Sequence, residues 1–278
     1  MPDIFYLVSK WWKQILVIVI LSMLAVGAVL FFLPPKYLST TTAVPASSYL
    51  KDKASIFGTN LQQLYPVLGI PDDLDMIVGT GQLDTPYIAV AKEFNLYDHY
   101  KTAEQGEAAI IKAAYILKKN AKVIKSDYGE LKVRVWDTDK NLAPQLADAI
   151  MNHLQSIHGD IQNSNNISIL ASLKAGKAKL AERLAKSDST SRSSINVLSF
   201  NERTMLTEQA LQYEKLIGQY ELMSDSKQPV LVVVEKARAS DWPDKPKKVL
   251  WLTATFVLSV LFALLLALLL EKRKHVQR

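Results

Sequence analysis

The chain has 278 residues, no cysteine, a hydrophobic share of 49% and a formal charge of +6. The basic excess is not where a nucleic-acid surface would need it. Between Pro34 and Lys248 lie 27 basic and 25 acidic residues, whereas the two short ends hold six basic and two acidic. A nearly neutral centre between basic ends argues against a nucleic-acid partner, and the lack of cysteine suits an oxidising or periplasmic setting.

The first element is an uncharged apolar run from Ile15 to Leu33. At about 1.5 Å of rise per residue it spans roughly 28 Å, close to the hydrocarbon thickness of a bilayer. Trp11 and Trp12 beside Lys10 and Lys13 form an interfacial belt before it. Small residues at Ala25 to Ala28 allow a signal-peptide reading, but Val29 to Leu33 continue the apolar run past them, so an uncleaved anchor is expected. Its partner is the run from Val249 to Leu270, also uncharged. Lys10 and Lys13 before the first run, and Lys272, Arg273, Lys274 and Arg278 after the second, place residues 1–14 and 271–278 in the cytoplasm by the positive-inside rule. Residues 34–248 then form a periplasmic domain between transmembrane helices 15–33 and 249–270.

After the first anchor, Tyr37 to Val44 is Thr-rich and strand-like. Between Ala46 and Thr85 the pattern supports only loops and a short helix near Leu61 to Leu68, with Asp72, Asp73 and Asp75 in a Pro-marked turn. Ile88, Ala91, Phe94 and Leu96 share one helix, and Ala109, Ile110, Ala113, Ala114 and Leu117 the next. Leu131, Val133 and Val135 alternate with Lys132, Arg134 and Trp136, a strand with one buried face.

A turn at Asp137 to Asn141 caps a long helical stretch, with Pro144 in its first turn. Leu146, Ile150, Leu154, Ile157 and Ile161 form its apolar stripe. The helical pattern runs to about Ala185, and Asn163 to Asn166 compete for backbone hydrogen bonds, so a kink, break or solvated stretch is expected there. The polar tip from Ser187 to Ser194 turns the chain into a second arm, about Asn196 to Met223. In it Leu206, Ala210, Tyr213, Ile217 and Tyr220 make a short heptad seam of coiled-coil type. That seam packs on the first arm or partly faces neighbouring copies. Lys174, Lys177 and Arg183 are either a solvated face or a contact for an anionic glycan. Pro229 to Glu235 is a β-branched run expected to be a strand buried on both faces.

Before the second anchor, Pro243 and Pro246 are three residues apart, which fits a polyproline II spacer coupling the domain to the membrane, or simple helix-stop punctuation. Within the anchor, Ser259, Ala263 and Ala267 recur every fourth residue and permit close helix approach, to the first anchor or to a neighbour.

No catalytic constellation assembles. His99, His153, His158 and His275 do not converge at ligand spacing, and no nucleophile elbow, zinc-protease helix or phosphate loop occurs. Neither a metal site nor a cofactor is expected, and the chain reads as a non-enzyme.

Taken in order, Lys36-Tyr37 after the first anchor, the turn and Ala-rich helix from Asp139 to Ala149 with Asn152, the Val-rich strand, and Pro243 and Pro246 resemble the Wzz-type chain-length determinants, or polysaccharide co-polymerases. In that family three prolines recur in this last segment; Ser240 stands in place of the first. The resemblance implies an α+β membrane protein. Its two transmembrane helices flank a periplasmic α/β base (about 36–140 and 226–240) with a projecting helical hairpin (about 141–225). It also implies a non-enzymatic inner-membrane regulator of surface polysaccharide length in lipopolysaccharide O-antigen or capsule-type synthesis. The implied partners are further copies of the chain in a ring, the polymerase, the growing polysaccharide and the bilayer. Two other readings stay open: a modulator of a separate cytoplasmic tyrosine kinase in polysaccharide export, and a sensory ectodomain.

Overall fold

The computed structural model describes residues 4–46, 71–191, 197–225 and 229–276. Helix α1 (Ile4–Phe32) ends where Leu33 meets Pro34 and Pro35. Prolines lack the donor that a further turn needs, and they push the preceding residue out of the helical region. Helix α8 (Lys248–Val276) closes the chain. Both contain stretches long and apolar enough to cross a membrane, Ser9–Phe32 and Lys248–Lys272.

Between them lie strands β1 (Tyr37–Pro45), β2 (Ala121–Lys125), β3 (Leu131–Asp137) and β4 (Leu231–Glu235) and helices α2 (Pro71–Thr80), α3 (Thr85–Glu93), α4 (Leu96–His99), α5 (Glu107–Lys119), α6 (Leu142–Ser191) and α7 (Val197–Asp225). The fold class is thus the one expected, a mixed α/β body with a long helix between two terminal apolar helices. The strands hydrogen-bond in the order β2-β3-β1-β4. The chain forms two compact units. One comprises residues 1–40, 134–145 and 237–278, and the other residues 41–133 and 146–236.

In the second unit, β1 and β4 run antiparallel, with Ala43 opposite Val233, Val44 opposite Val232 and Pro45 opposite Leu231. The ladder shifts register between Thr42 and Ala43. Thr41 donates its hydroxyl to the Glu235 carbonyl at 3.0 Å. Among the described residues β4 lies at the edge of the sheet, which corrects the expected burial on both faces: Leu231 is buried while Val234 is 65% exposed. A continuous β-branched run has no alternation to show which residues face solvent, so its pattern fits an edge and a centre equally well. β2, which the periodicity did not signal, turns into β3 through Gly129, whose φ of +74° suits glycine.

Three other expectations need correction. Asp72, Asp73 and Asp75 lie in helix α2 and not in a turn, with Pro71 at its first position, where a missing N–H is harmless. Ile88 and Leu96 belong to different helices, because Asn95 takes the left-handed conformation (φ +48°) that Asn tolerates and that ends α3. α6 continues unbroken through Asn163 to Asn166 and runs on through Ser191. Asn166 is buried, and Asn163 accepts a hydrogen bond from Ser224 of α7 at 3.4 Å, so the Asn163 amide has a partner on the other arm. The expected helix near Leu61 to Leu68 and the tip residues 192–196 lie outside the described residues.

The core of this unit combines Leu74, Ile77, Val90, Leu96 and Leu117 from the short helices with Leu131 and Val133 from β3 and Ile150, Met151 and Leu154 from α6, all nearly inaccessible. α6 has 50 residues, about 75 Å at 1.5 Å per residue. α7 returns antiparallel to it, because Asn163 meets Ser224, Lys174 meets Glu221 and Lys177 meets Glu214.

Candidate functional site

At the start of α6, Asp137 and Asp139 each accept a backbone N–H two residues on, from Asp139 at 2.9 Å and Asn141 at 2.8 Å. These short side-chain turns orient the chain so that β3 can hand over to a helix.

In the first unit, α1 and α8 pack along their length. Ser259, Ala263 and Ala267 on α8 are buried, as is Leu30 on α1. Four-residue spacing puts the three small residues on one helix face, and their size lets backbones approach where membrane lipid supplies no hydrophobic drive. At one end of the pair Glu271 is buried, accepting from Lys10 Nζ at 2.7 Å and from Trp11 Nε1 at 3.0 Å.

At the other end the segment entering α8 is paired with the segment leaving α1. Lys36 N–H donates to the Lys245 carbonyl at 2.9 Å, and the Lys36 carbonyl accepts from Asp244 N–H at 2.9 Å and Lys245 N–H at 3.2 Å. Pro243 and Pro246 flank this bridge, so the proline segment is hydrogen-bonded to the exit of α1. Trp136, at the end of β3, donates its indole N–H to Asp244 Oδ2 at 2.7 Å, and Lys245 Nζ lies 3.8 Å from the centre of the same ring. Ser39 donates to the Arg238 carbonyl at 2.7 Å. Beside the bridge opens a cleft of about 610 Å³, lined by Leu33, Pro34, Lys36, Lys245, Pro246, Lys247, Leu250 and Trp251.

In the second unit, the seam residues Leu206, Ala210, Tyr213, Ile217 and Tyr220 are all half-buried while their neighbours on α7 are mostly exposed. Gly176 of α6 receives the Tyr213 ring so closely that a Cβ there would lie 2.8 Å from it. Lys174 pairs with Glu221 and Lys177 with Glu214, each at 2.8 Å, and the Lys177 bond and charge hold the Glu214 carboxyl below the usual carboxylate range. Arg183 is exposed. A polar groove of about 360 Å³ lies between α6 and the entry to β4, lined by Asn152, Gln155, Ser156, Gly159, Asp160, Asn163, Pro229 and Val230. His158 is buried, with Nε2 2.9 Å from Thr80 Oγ1, and His153 sits 3.0 Å from Glu93. Among the described residues no three His, Asp or Glu side chains gather as metal ligands.

The sequence reading therefore named residues in three separate places: Pro243 and Pro246 at the bridge, the small face within α8, and the two arms of the hairpin. It missed Glu271 with Lys10 and Trp11, although a carboxylate directly after 22 uncharged residues was a visible signal. It also missed the pairing of Trp136 with Asp244, which joins residues 108 apart in sequence and leaves no local pattern.

No family model matches the chain, and no curated protein matches its sequence. Among solved structures, a full-length bacterial polysaccharide co-polymerase is similar over 99% of this chain and 98% of that one, at 13% identity and a TM-score of 0.41.

Proposed function

We propose that this chain is a non-enzymatic regulator of surface polysaccharide length, an O-antigen or capsule-like polymer, in the bacterial inner membrane. Both termini are cytoplasmic, the central domain is periplasmic, and several copies form a scaffold that works beside the polymerase and touches the growing chain. The observation that carries this reading is the antiparallel α6–α7 pair on an α/β body between two membrane helices, with large apolar side chains left outside the pair. Leu211 and Leu222 of α7 are 61% and 71% exposed. They are eleven residues apart, about three helical turns, and so share one face. Ile161 and Ile167 of α6 are also more than half exposed. Apolar surface of this kind on a projecting arm suits contact between copies. The ordered motifs from Lys36-Tyr37 to Pro243 and Pro246 support the polysaccharide reading. The groove of amide, hydroxyl and carboxylate side chains on α6 offers donors and acceptors of the kind that sugar hydroxyls need.

Deletion of the gene tests the reading. The polymer should lose its modal length on a gel and regain it on complementation, and an unchanged length distribution refutes the proposal. Mass measurement in lipid discs should give a multiple of the 31.1 kDa chain. A strictly monomeric mass refutes the scaffold.

A further inference from the structure

The cleft beside the Lys36–Lys245 bridge has a composition that neither membrane anchoring nor the polymer reading uses. Its floor is apolar, from Leu33, Pro34, Pro246, Leu250 and Trp251, and its rim carries Lys36, Lys245 and Lys247. Leu33 and Leu250 sit at the ends of the two apolar spans, so the floor is continuous with surface that faces hydrocarbon. Trp251 is 56% exposed one turn into α8, the position of an interfacial indole.

The described lining of the cleft is basic: it includes Lys36, Lys245 and Lys247 and no carboxylate, and Lys248 adjoins it. Two carboxylates, Asp241 and Asp244, lie in the segment just before it, and Asp241 is 3.9 Å from Lys140. Asp244 receives the neutral indole N–H of Trp136, and Lys245 rests on the ring of that Trp136. An aromatic face attracts an ammonium without cancelling its charge as a carboxylate would. The first turn of α8, a 29-residue helix beginning at Lys248, adds the positive end of its dipole beside the rim. A volume of about 610 Å³ accommodates a headgroup and the first methylenes of its chains.

We propose that this cleft binds an anionic glycerophospholipid from the leaflet at the Leu33 and Leu250 ends of the two apolar helices. Its phosphate lies against Lys36, Lys245 and Lys247, and its acyl chains run down the Leu33–Leu250–Trp251 surface. A water-soluble phosphate would match the rim but gain nothing from the floor, and a zwitterionic lipid would match the floor but carry its own cation to the rim. The bound lipid fills the space between the exit of α1 and the entry of α8 and thereby braces the bridge. The proposal is independent of the polymer reading, since its readout is lipid and not polymer length.

The test uses the full-length protein in detergent, with phosphatidylglycerol or phosphatidylcholine of identical chains added, and reads retained lipid by native mass spectrometry. A lysine near the surface is worth about five-fold in anionic-lipid affinity, so wild type should retain phosphatidylglycerol at least ~ten-fold better than phosphatidylcholine. The variant carrying Lys36→Gln, Lys245→Gln and Lys247→Gln should lose that preference, while Lys174→Gln with Lys177→Gln on the hairpin should keep it. Equal retention of the two lipids by wild type, or undiminished preference in the triple variant, overturns the proposal. So does displacement of phosphatidylglycerol by inorganic pyrophosphate at matched concentration, which would make the site one for soluble anions. Should the triple variant not fold, photoactivatable phosphatidylglycerol in wild-type nanodiscs decides the matter. Labelled peptides should contain residues 33–36 or 245–251, and labelling confined to other segments overturns the assignment.

Discussion

Trp136 is the side chain whose removal should loosen the entry to α8 most selectively. Its indole N–H donates to Asp244 at 2.7 Å, and its ring carries Lys245 at 3.8 Å. A hydrogen bond to a charged group contributes about 1.5–3 kcal/mol when removed, and partial exposure of both groups brings this to the lower end, about 1.5. Trp136→Phe deletes that bond and keeps a ring under Lys245. Trp136→Ala also removes the ring, adding about 0.5–1 kcal/mol for the cation–π contact and a further ~1 for lost packing. Local opening of the bridge is read from amide hydrogen exchange at Lys36, Asp244 and Lys245, whose N–H groups are all bonded within it. With about 1.4 kcal/mol per tenfold, Trp136→Phe should speed these amides about ten-fold and Trp136→Ala about 100- to 300-fold. Amides of α5 serve as the reference and should not change. Asp244→Asn in the Trp136→Phe background should add little, since the bond is already gone. Unchanged exchange at the bridge in Trp136→Phe, or an equal rise in α5, would refute the idea that this contact holds the proline segment.

Tyr87 is buried and donates to the Gly81 carbonyl at 2.6 Å, and burial raises its pKa to about 12. The folded state then binds the extra proton between about pH 10 and 12, so that stability is intact below pH 10 and falls as pH rises through that window. Tyr87→Phe should flatten this slope in alkaline melting curves while costing about 1 kcal/mol at neutral pH. Glu214, its carboxyl held low by Lys177, should support the hairpin above about pH 4.3 and lose that support as pH falls below it; Glu214→Gln should abolish the acid step in exchange of α6 and α7 amides. A Cβ at Gly81 would meet Val123 Cβ at 2.8 Å and both its methyls at 2.9 Å, so Gly81→Ala should cost about 1–3 kcal/mol and recover partly with Val123→Ala in thermal melts. Glu271→Ala leaves Lys10 and Trp11 without their shared acceptor and should lower the melting temperature more than Glu271→Gln, which keeps an oxygen for the indole.

What could be read from the sequence was what repeats locally. Alternation in β3 and the uncharged runs of α1 and α8 carry their own periodicity and length, and the structure has these elements. The Asn163 to Asn166 stretch shows where that logic stops. Judged alone, four residues that compete with the helix backbone argue for a break, yet in α6 they stay helical: Asn163 takes a hydrogen bond from Ser224 of α7, 61 residues on, and Asn166 is buried. β4 failed for the complementary reason: whether a β-branched run is central or at an edge depends on which strands follow it in space, and only the order β2-β3-β1-β4 decides that. The contact between Trp136 and Asp244 could not be read at all, since Trp136 occupied a solvent-side position of an alternating strand and its partner lay 108 residues on.

The membrane pair is fastened at both ends by different chemistry. At one end Lys10 and Trp11 hold the buried carboxylate of Glu271, and at the other the backbones of Lys36, Asp244 and Lys245 close on each other. Between them the small face at Ser259, Ala263 and Ala267 is already buried in the pair. A helix tied at both ends and packed along one face can rotate or slide against its partner only by breaking one of these ties. Under the proposed scaffold role, α8 therefore meets a polymerase or a neighbouring copy through its opposite face, where Leu258, Leu261 and Leu265 are each more than half exposed. A bulky substitution at Ala263 should then disturb the pair within each subunit, whereas substitutions at Leu261 or Leu265 should leave the pair intact and change only what assembles around it.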